Sequence, residues 1–68
     1  GLYMATVNGV QFTPDGIVTI GSYVESHGYR RNLIAVELNG EILPKAQYDS
    51  TIIADSDKIE IVSFVGGG

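Results

Sequence analysis

The residues of this chain best placed for covalent chemistry are three glycines, Gly66, Gly67 and Gly68, which close the 68-residue sequence. They directly follow a strand-forming run, Ile59-Glu60-Ile61-Val62-Ser63-Phe64-Val65. Glycine has no β-carbon, costs backbone entropy to order and offers nothing to a core, so the run brings a folded domain no stability. What it offers is a slender thread with an α-carboxylate at its tip. Such a thread fits a channel too narrow for any other residue. Its carboxylate is then the group that an enzyme can reach, activate and modify. A phosphate-binding loop is a poor alternative, because such loops feed a helix and often supply a lysine. A plain linker is the other alternative.

The remaining candidates are weaker. The single histidine, His27, with Ser22 or Ser26 and an acid resembles a triad in composition alone. A triad also needs its base oriented by a third group, and His27 is expected instead to pack, partly buried, on a helix. The chain has no cysteine, so disulfides, thiolate metal sites and a side-chain sulfur carrier are excluded. A zinc site would have to rely on carboxylates. The net charge of −4 and only four Lys and Arg residues argue against a nucleic-acid surface. Arg30-Arg31 reads as a solvated loop following a helix rather than as a basic patch. No apolar run approaches the roughly 20 residues of a membrane span. We therefore expect a soluble, cytoplasmic protein.

The glycine thread needs a compact body, and the turns outline one. Ala5-Thr6-Val7 and Val10-Gln11-Phe12 flank Asn8-Gly9, the preferred pair for a two-residue type I′ hairpin. Pro14-Asp15-Gly16 then turns the chain. Thr19 is the expected N-cap of a short helix whose apolar stripe is Ile20, Tyr23, Val24 and His27, at helical spacing. Gly28 is expected at its C′ position, and Gly21 inside it costs about 1 kcal/mol relative to alanine. Leu33 to Leu38 alternates as a strand, with Ile34, Val36 and Leu38 on one face. Asn39-Gly40 turns it back into Glu41-Ile42-Leu43, which Pro44 stops. Ala46 to Asp49 reads as a tight turn or a 3₁₀ turn. Thr51-Ile52-Ile53 is expected to add a brief strand. Asp55-Ser56-Asp57 then leads into the last strand, Lys58 to Phe64.

This element order predicts an α+β fold of the β-grasp (ubiquitin-like) class, a mixed sheet of four to five strands packed on one short helix. Residues 4–65 are expected to form the domain and 66–68 a flexible tail. Gly1-Leu2-Tyr3, which does not open on methionine, is expected to be a cloning remnant.

From about Met4 to Gly68 the sequence resembles the ThiS family, the sulfur carriers of thiamin biosynthesis. The resemblance rests on Val7-Asn8-Gly9, on Ala35 through Pro44 and on Tyr48-Asp49. It also rests on Asp57 and on Ile59 through the Phe64-Val65-Gly66-Gly67-Gly68 ending. Ser56 stands where the family often has glycine, and Ser22, Tyr23 and Val24 replace the usual helix leucines. The resemblance implies that the Gly68 carboxylate is adenylated by an E1-like, ThiF-type enzyme using ATP. It is then converted to a thiocarboxylate through a sulfur-donating enzyme and passes its sulfur to a ThiG-type thiazole synthase. It also implies a carrier that catalyses nothing and holds no permanent cofactor. The alternatives are a molybdopterin-type sulfur carrier, which also ends in Gly-Gly, and a ubiquitin-like protein modifier or interaction module.

Val62, Phe64 and Val65 lie beside the tail. Val62 and Phe64 fall on the strand face opposite Ile61, which leaves two readings: a rim of the core, or an apolar patch that docks the adenylating enzyme. Glu37, Glu60, Asp55 and Asp57 are candidate acidic contacts around such a patch.

Overall fold

The computed structural model describes residues 3–64. Strands β1 (Ala5–Val7) and β2 (Val10–Phe12) form the first hairpin, and helix α1 follows at Ile20–Ser26. A 3₁₀ turn at Arg31–Leu33 leads into β3 (Ile34–Leu38), β4 (Glu41–Leu43), a second 3₁₀ segment at Lys45–Ser50 and β5 (Lys58–Ser63). The sheet order is β2-β1-β5-β3-β4. β5 lies at the centre, parallel to β1 and antiparallel to β3. A first hairpin, a helical crossover and a last strand inserted between the two hairpins make this a β-grasp fold.

Both hairpins turn as their Asn-Gly pairs dictate. Asn8 and Gly9 have φ of 50° and 80°, and Asn39 and Gly40 of 53° and 87°, the left-handed pairs that a type I′ turn requires. Thr19 caps α1: its Oγ1 accepts from the Ser22 amide at 3.0 Å, and the Ser22 Oγ accepts in return from the Thr19 amide at 3.0 Å. Serine thus fills the place that glutamate usually holds in a capping box. The far end closes on Gly28, at φ +79°, with the Tyr29 amide donating to the Val24 carbonyl at 2.9 Å and Gly28 to Glu25 at 3.1 Å. This is the Schellman pattern.

Seven helical residues are too few to persist alone, so burial holds α1 in place. Ile20 and Val24 sink into a core supplied by β1 (Ala5, Val7), β3 (Ile34, Val36) and β5 (Ile59, Ile61). Tyr48 and Ile53 complete the core from the segment between β4 and β5. The Tyr48 hydroxyl is buried with no hydrogen bond of ordinary geometry, although the Val36 backbone lies nearby. Burial pushes its pKa above the usual tyrosine value.

Four expectations need correction. Thr51-Ile52-Ile53 adds no strand, only an isolated bridge between Ile52 and Thr19. Its backbone is spent on the segment leading into the helix, with Ile20 donating to Thr51 and Ile53 to Val18, before the chain turns at Asp55. His27 is exposed rather than partly buried. It sits at the helix C-cap and stacks on Tyr23, with centroids 3.9 Å apart, outside the core layer. Arg31 is not a loop cation facing water. Its guanidinium bonds Asp49 at 2.7 and 2.9 Å and Glu25 at 2.8 Å, tying the helix to the Lys45–Ser50 segment. The hydrogen bonds from Arg31 hold the Asp49 carboxyl below its usual range. Finally, β5 ends at Ser63, although the Phe64 amide still donates to the carbonyl of Leu33, in the turn before β3, at 2.8 Å.

The Arg31 bridge also explains Gly21. A β-carbon there would lie 2.1 Å from Asp49 Oδ1 and 2.7 Å from an Arg31 nitrogen. Helix propensity is given up for the close passage of an ion pair. Tyr3, from the stretch read as a remnant, donates its hydroxyl hydrogen to the Ile53 carbonyl. Among the described residues no helix is long and apolar enough to cross a membrane.

Candidate functional site

Strand alternation gives β5 two faces. Ile59 and Ile61 point under the helix, 1% and 7% exposed, whereas Val62 and Phe64 are 51% and 62% exposed. The apolar pair beside the tail is therefore outside the core, as the docking reading requires. Val65 and the three glycines, Gly66, Gly67 and Gly68, lie outside the described residues.

The register builds the rest of this open face. Val62 pairs with Ala35 on β3, Glu60 pairs with Glu37, and Glu37 in turn pairs with Ile42 on β4. Ile42 is 65% exposed and extends the apolar surface. Its place was legible: Leu43 had to face the core, so its neighbour had to face out. Lys45 borders the other end, its Nζ donating to the Ile34 carbonyl at 2.8 Å and lying 5.8 Å from the Phe64 ring centre. That contact holds a cation over an aromatic face and steadies Phe64 at the rim.

The glutamate pair has an electrostatic consequence. Like charges directly opposite each other across two strands are destabilising. Among the described residues, neither Glu37 nor Glu60 has an ion-pair partner; the two ion pairs present both belong to Arg31. The open face thus carries exposed apolar groups beside negative charge without a counter-ion. Asp55 and Asp57, the other two candidate acidic contacts, are occupied elsewhere. Asp55 Oδ1 accepts from the Met4 amide, and Asp57 accepts from the Ala54 amide and from the Asn39 side chain. They shape the turn before β5 rather than the face.

Among the described residues there is no pocket, and no group of three or more His, Cys, Asp or Glu is placed to hold a metal ion. His27 bonds Ser26 Oγ and the Tyr23 carbonyl through one nitrogen, Nδ1, with no carboxylate to orient its ring. What the arrangement offers is an exposed apolar and acidic surface on one face of β5.

The ThiS family profile matches residues 3–68, almost the entire sequence. The chain belongs to the ThiS family. A crystal structure of the thiamine biosynthesis protein ThiS from Geobacter metallireducens superposes with a TM-score of 0.77 at 34% identity, covering 96% of this chain and 99% of that one. The sulfur carrier protein ThiS of Bacillus subtilis is 42% identical over 50 residues, which are 74% of this chain and 76% of the Bacillus protein. A thiazole synthase of Paramagnetospirillum magneticum is 37% identical over 62 residues, 91% of this chain but 19% of that longer protein. This chain thus spans a small part of that relative and nearly the full length of the Geobacter ThiS. A ThiS-like segment occurs both as a small protein and within a larger one.

Proposed function

We propose that this chain is a sulfur carrier of thiamin biosynthesis, working in the cytoplasm with the Gly68 carboxylate as the group that carries sulfur. Family membership across residues 3–68 is the observation that carries the reading. An α-carboxyl group ordinarily titrates at about 3.5, so it is ionised at neutral pH and as an anion resists nucleophiles. A ThiF-type enzyme activates it: a Gly68 oxygen attacks the α-phosphorus of ATP, pyrophosphate leaves, and an acyl-adenylate forms. Hydrosulfide released by a donor enzyme then attacks the carbonyl carbon, AMP departs and the proton of the thioacid is lost to solvent. The resulting thiocarboxylate presents a soft sulfur to a ThiG-type thiazole synthase. Every step takes place on main-chain atoms, which suits a chain without cysteine. The carrier itself contributes position.

Val62 and Phe64 on the open face supply the apolar anchor for the adenylating enzyme, and Glu37 with Glu60 receive a basic side chain from it. Pairing with that cation relieves the repulsion between the two glutamates. Gly66 and Gly67 are the narrow approach to the nucleotide site.

Intact mass before and after incubation with ATP, the adenylating enzyme and a sulfur source tests the carrier role. The expected gain is one sulfur-for-oxygen exchange. Isopeptide conjugates on lysines would overturn it in favour of a protein modifier. In ATP–pyrophosphate exchange, deleting Gly68 shortens the thread by up to about 3.5 Å. A misplacement of about 1 Å can cost on the order of 100-fold in rate, so exchange should collapse. Gly67→Ala should fail as well, with thermal stability unchanged in both variants. Wild-type rates in both would remove the basis for the proposal.

A further inference from the structure

The chain has three asparagines, Asn8, Asn32 and Asn39, and the first and last of them precede glycine. An Asn-Gly pair can modify itself. The glycine amide nitrogen attacks the side-chain carbonyl carbon of asparagine, its proton leaves with the displaced nitrogen as ammonia, and a five-membered succinimide forms. Water then opens the ring at either carbonyl, giving aspartate or isoaspartate. Glycine favours the attack because it has no side chain to hinder the approach. By sequence Asn8-Gly9 and Asn39-Gly40 are equivalent, and both asparagines are left-handed, with φ of 50° and 53°. A β-carbon at either glycine would meet nothing within 4 Å, so crowding does not separate the two pairs.

The partners of the two carboxamides do separate them. Asn8 Oδ1 accepts from the Ile61 amide at 2.7 Å, and Asn8 Nδ2 donates to the neutral Ile61 carbonyl at 3.2 Å. Asn39 Oδ1 accepts from the Lys58 amide at 2.8 Å, but Asn39 Nδ2 donates to the Asp57 carboxylate at 2.9 Å. A hydrogen bond to an ionised acceptor is roughly twice as strong as a neutral one. Ring closure also passes through a negatively charged tetrahedral intermediate, which an adjacent carboxylate disfavours. Asp57 is held in place by the Ala54 amide, which donates to its other oxygen at 2.8 Å.

The hairpins differ as well. To react, a carboxamide must release its strand and the turn must rotate, so the rate follows local opening. β1 joins β5 at Thr6 with Lys58 and Val7 with Ile59, whereas β3 joins it along its whole length, from Ile34 with Ser63 to Leu38 with Ile59. The hairpin that carries Asn8 is the more weakly held of the two.

We propose that Asn8 is a site of spontaneous deamidation in the folded protein, and that Asp57 shields Asn39 from the same reaction. The proposal is independent of the carrier function. Either product at position 8 breaks a contact of the fold. Aspartate sets a carboxylate oxygen against the Ile61 carbonyl. Isoaspartate routes the main chain through the side-chain carbon and so lengthens a turn whose two residues fix the register of β1 on β2. Isoaspartate also makes this turn a substrate for an enzyme that methylates isoaspartyl carboxylates.

Incubation of the full chain at mildly alkaline pH, followed by peptide mapping with mass spectrometry, locates the products. Methyl transfer from S-adenosylmethionine by a protein-isoaspartate methyltransferase counts the isoaspartate. In the folded chain Asn8 should react roughly fivefold faster than Asn39, the ratio expected when one neutral bond stands in place of a charge-assisted one. Asn32, which precedes Leu33, should stay intact. In denaturant the two Asn-Gly pairs should react at equal rates. Asp57→Asn should speed the reaction at Asn39 several-fold and leave Asn8 unchanged. If that variant does not fold, Asp57→Ser removes the same charge and keeps an oxygen that can accept from the Ala54 amide. Equal rates at the two pairs in the folded wild-type chain, or faster loss at Asn39, would overturn the proposal. So would an intact Asn8 in a folded chain whose denatured form deamidates, or an unchanged Asn39 rate in a folded Asp57 variant.

Discussion

The two faces of β5 meet different surroundings. Ile59 and Ile61 lie under the helix and are almost fully buried, while Val62 and Phe64, one to five positions further along the same strand, are more than half exposed. Their composition is equally apolar, so hydrophobicity does not separate them. Strand parity and the reach of α1 do: the helix covers one face only, and whatever alternates to the other face is left to water or to a partner. A small domain with a limited core would be expected to bury such residues. Keeping them outside is consistent with a surface reserved for another protein.

Breaking the inner face should give the largest effect. Ile59→Ala removes a fully buried side chain at the sheet centre and should cost about 2–5 kcal/mol, read as a lower denaturant midpoint. Adenylation by the remaining folded fraction should proceed at the normal rate; a slowed reaction would mean the two faces are coupled. On the outer face, Phe64→Asp should leave the unfolding midpoint unchanged and weaken association with the adenylating enzyme at least tenfold, about 1.4 kcal/mol. Circular dichroism beside a binding titration separates the outcomes. A folded variant that binds normally would show that Phe64 is no anchor.

The smallest effect is expected where β5 begins. Ser56 is held at φ +69°, a conformation that costs a residue with a β-carbon and that glycine adopts freely. Ser56→Gly should raise stability by up to about 1 kcal/mol, offset in part by the greater freedom of glycine in the unfolded chain. Partner binding should not change, because the turn lies at the far end of the strand from Phe64. A thermal melt checks the first statement, and the same titration checks the second.

Both hairpins, the helix cap at Thr19, the stop at Gly28 and the outward parity of Val62 and Phe64 were legible because each depends on neighbours a few residues away. An Asn-Gly pair selects its turn, a hydroxyl reaches an amide three residues on, and a strand alternates whatever it packs against. The family ending was legible too, as a run of residue types. Other features were not. Thr51–Ile53 has strand composition, but whether it forms a strand depends on a partner that only the folded chain supplies. His27 has helical spacing but falls where the helix has already closed.

Sequence by itself determined both hairpins, the capped helix and the order in which these elements occur. Tertiary structure decided the insertion of β5 between β1 and β3, which sets which face of that strand is covered. It also decided the contacts that span long stretches of sequence: Arg31 with Asp49, Glu37 opposite Glu60, and above all Asn8 with Ile61, 53 positions apart. A turn residue's conformation is local and can be read from the sequence. What its side chain reaches is set by the strand that the fold brings alongside it.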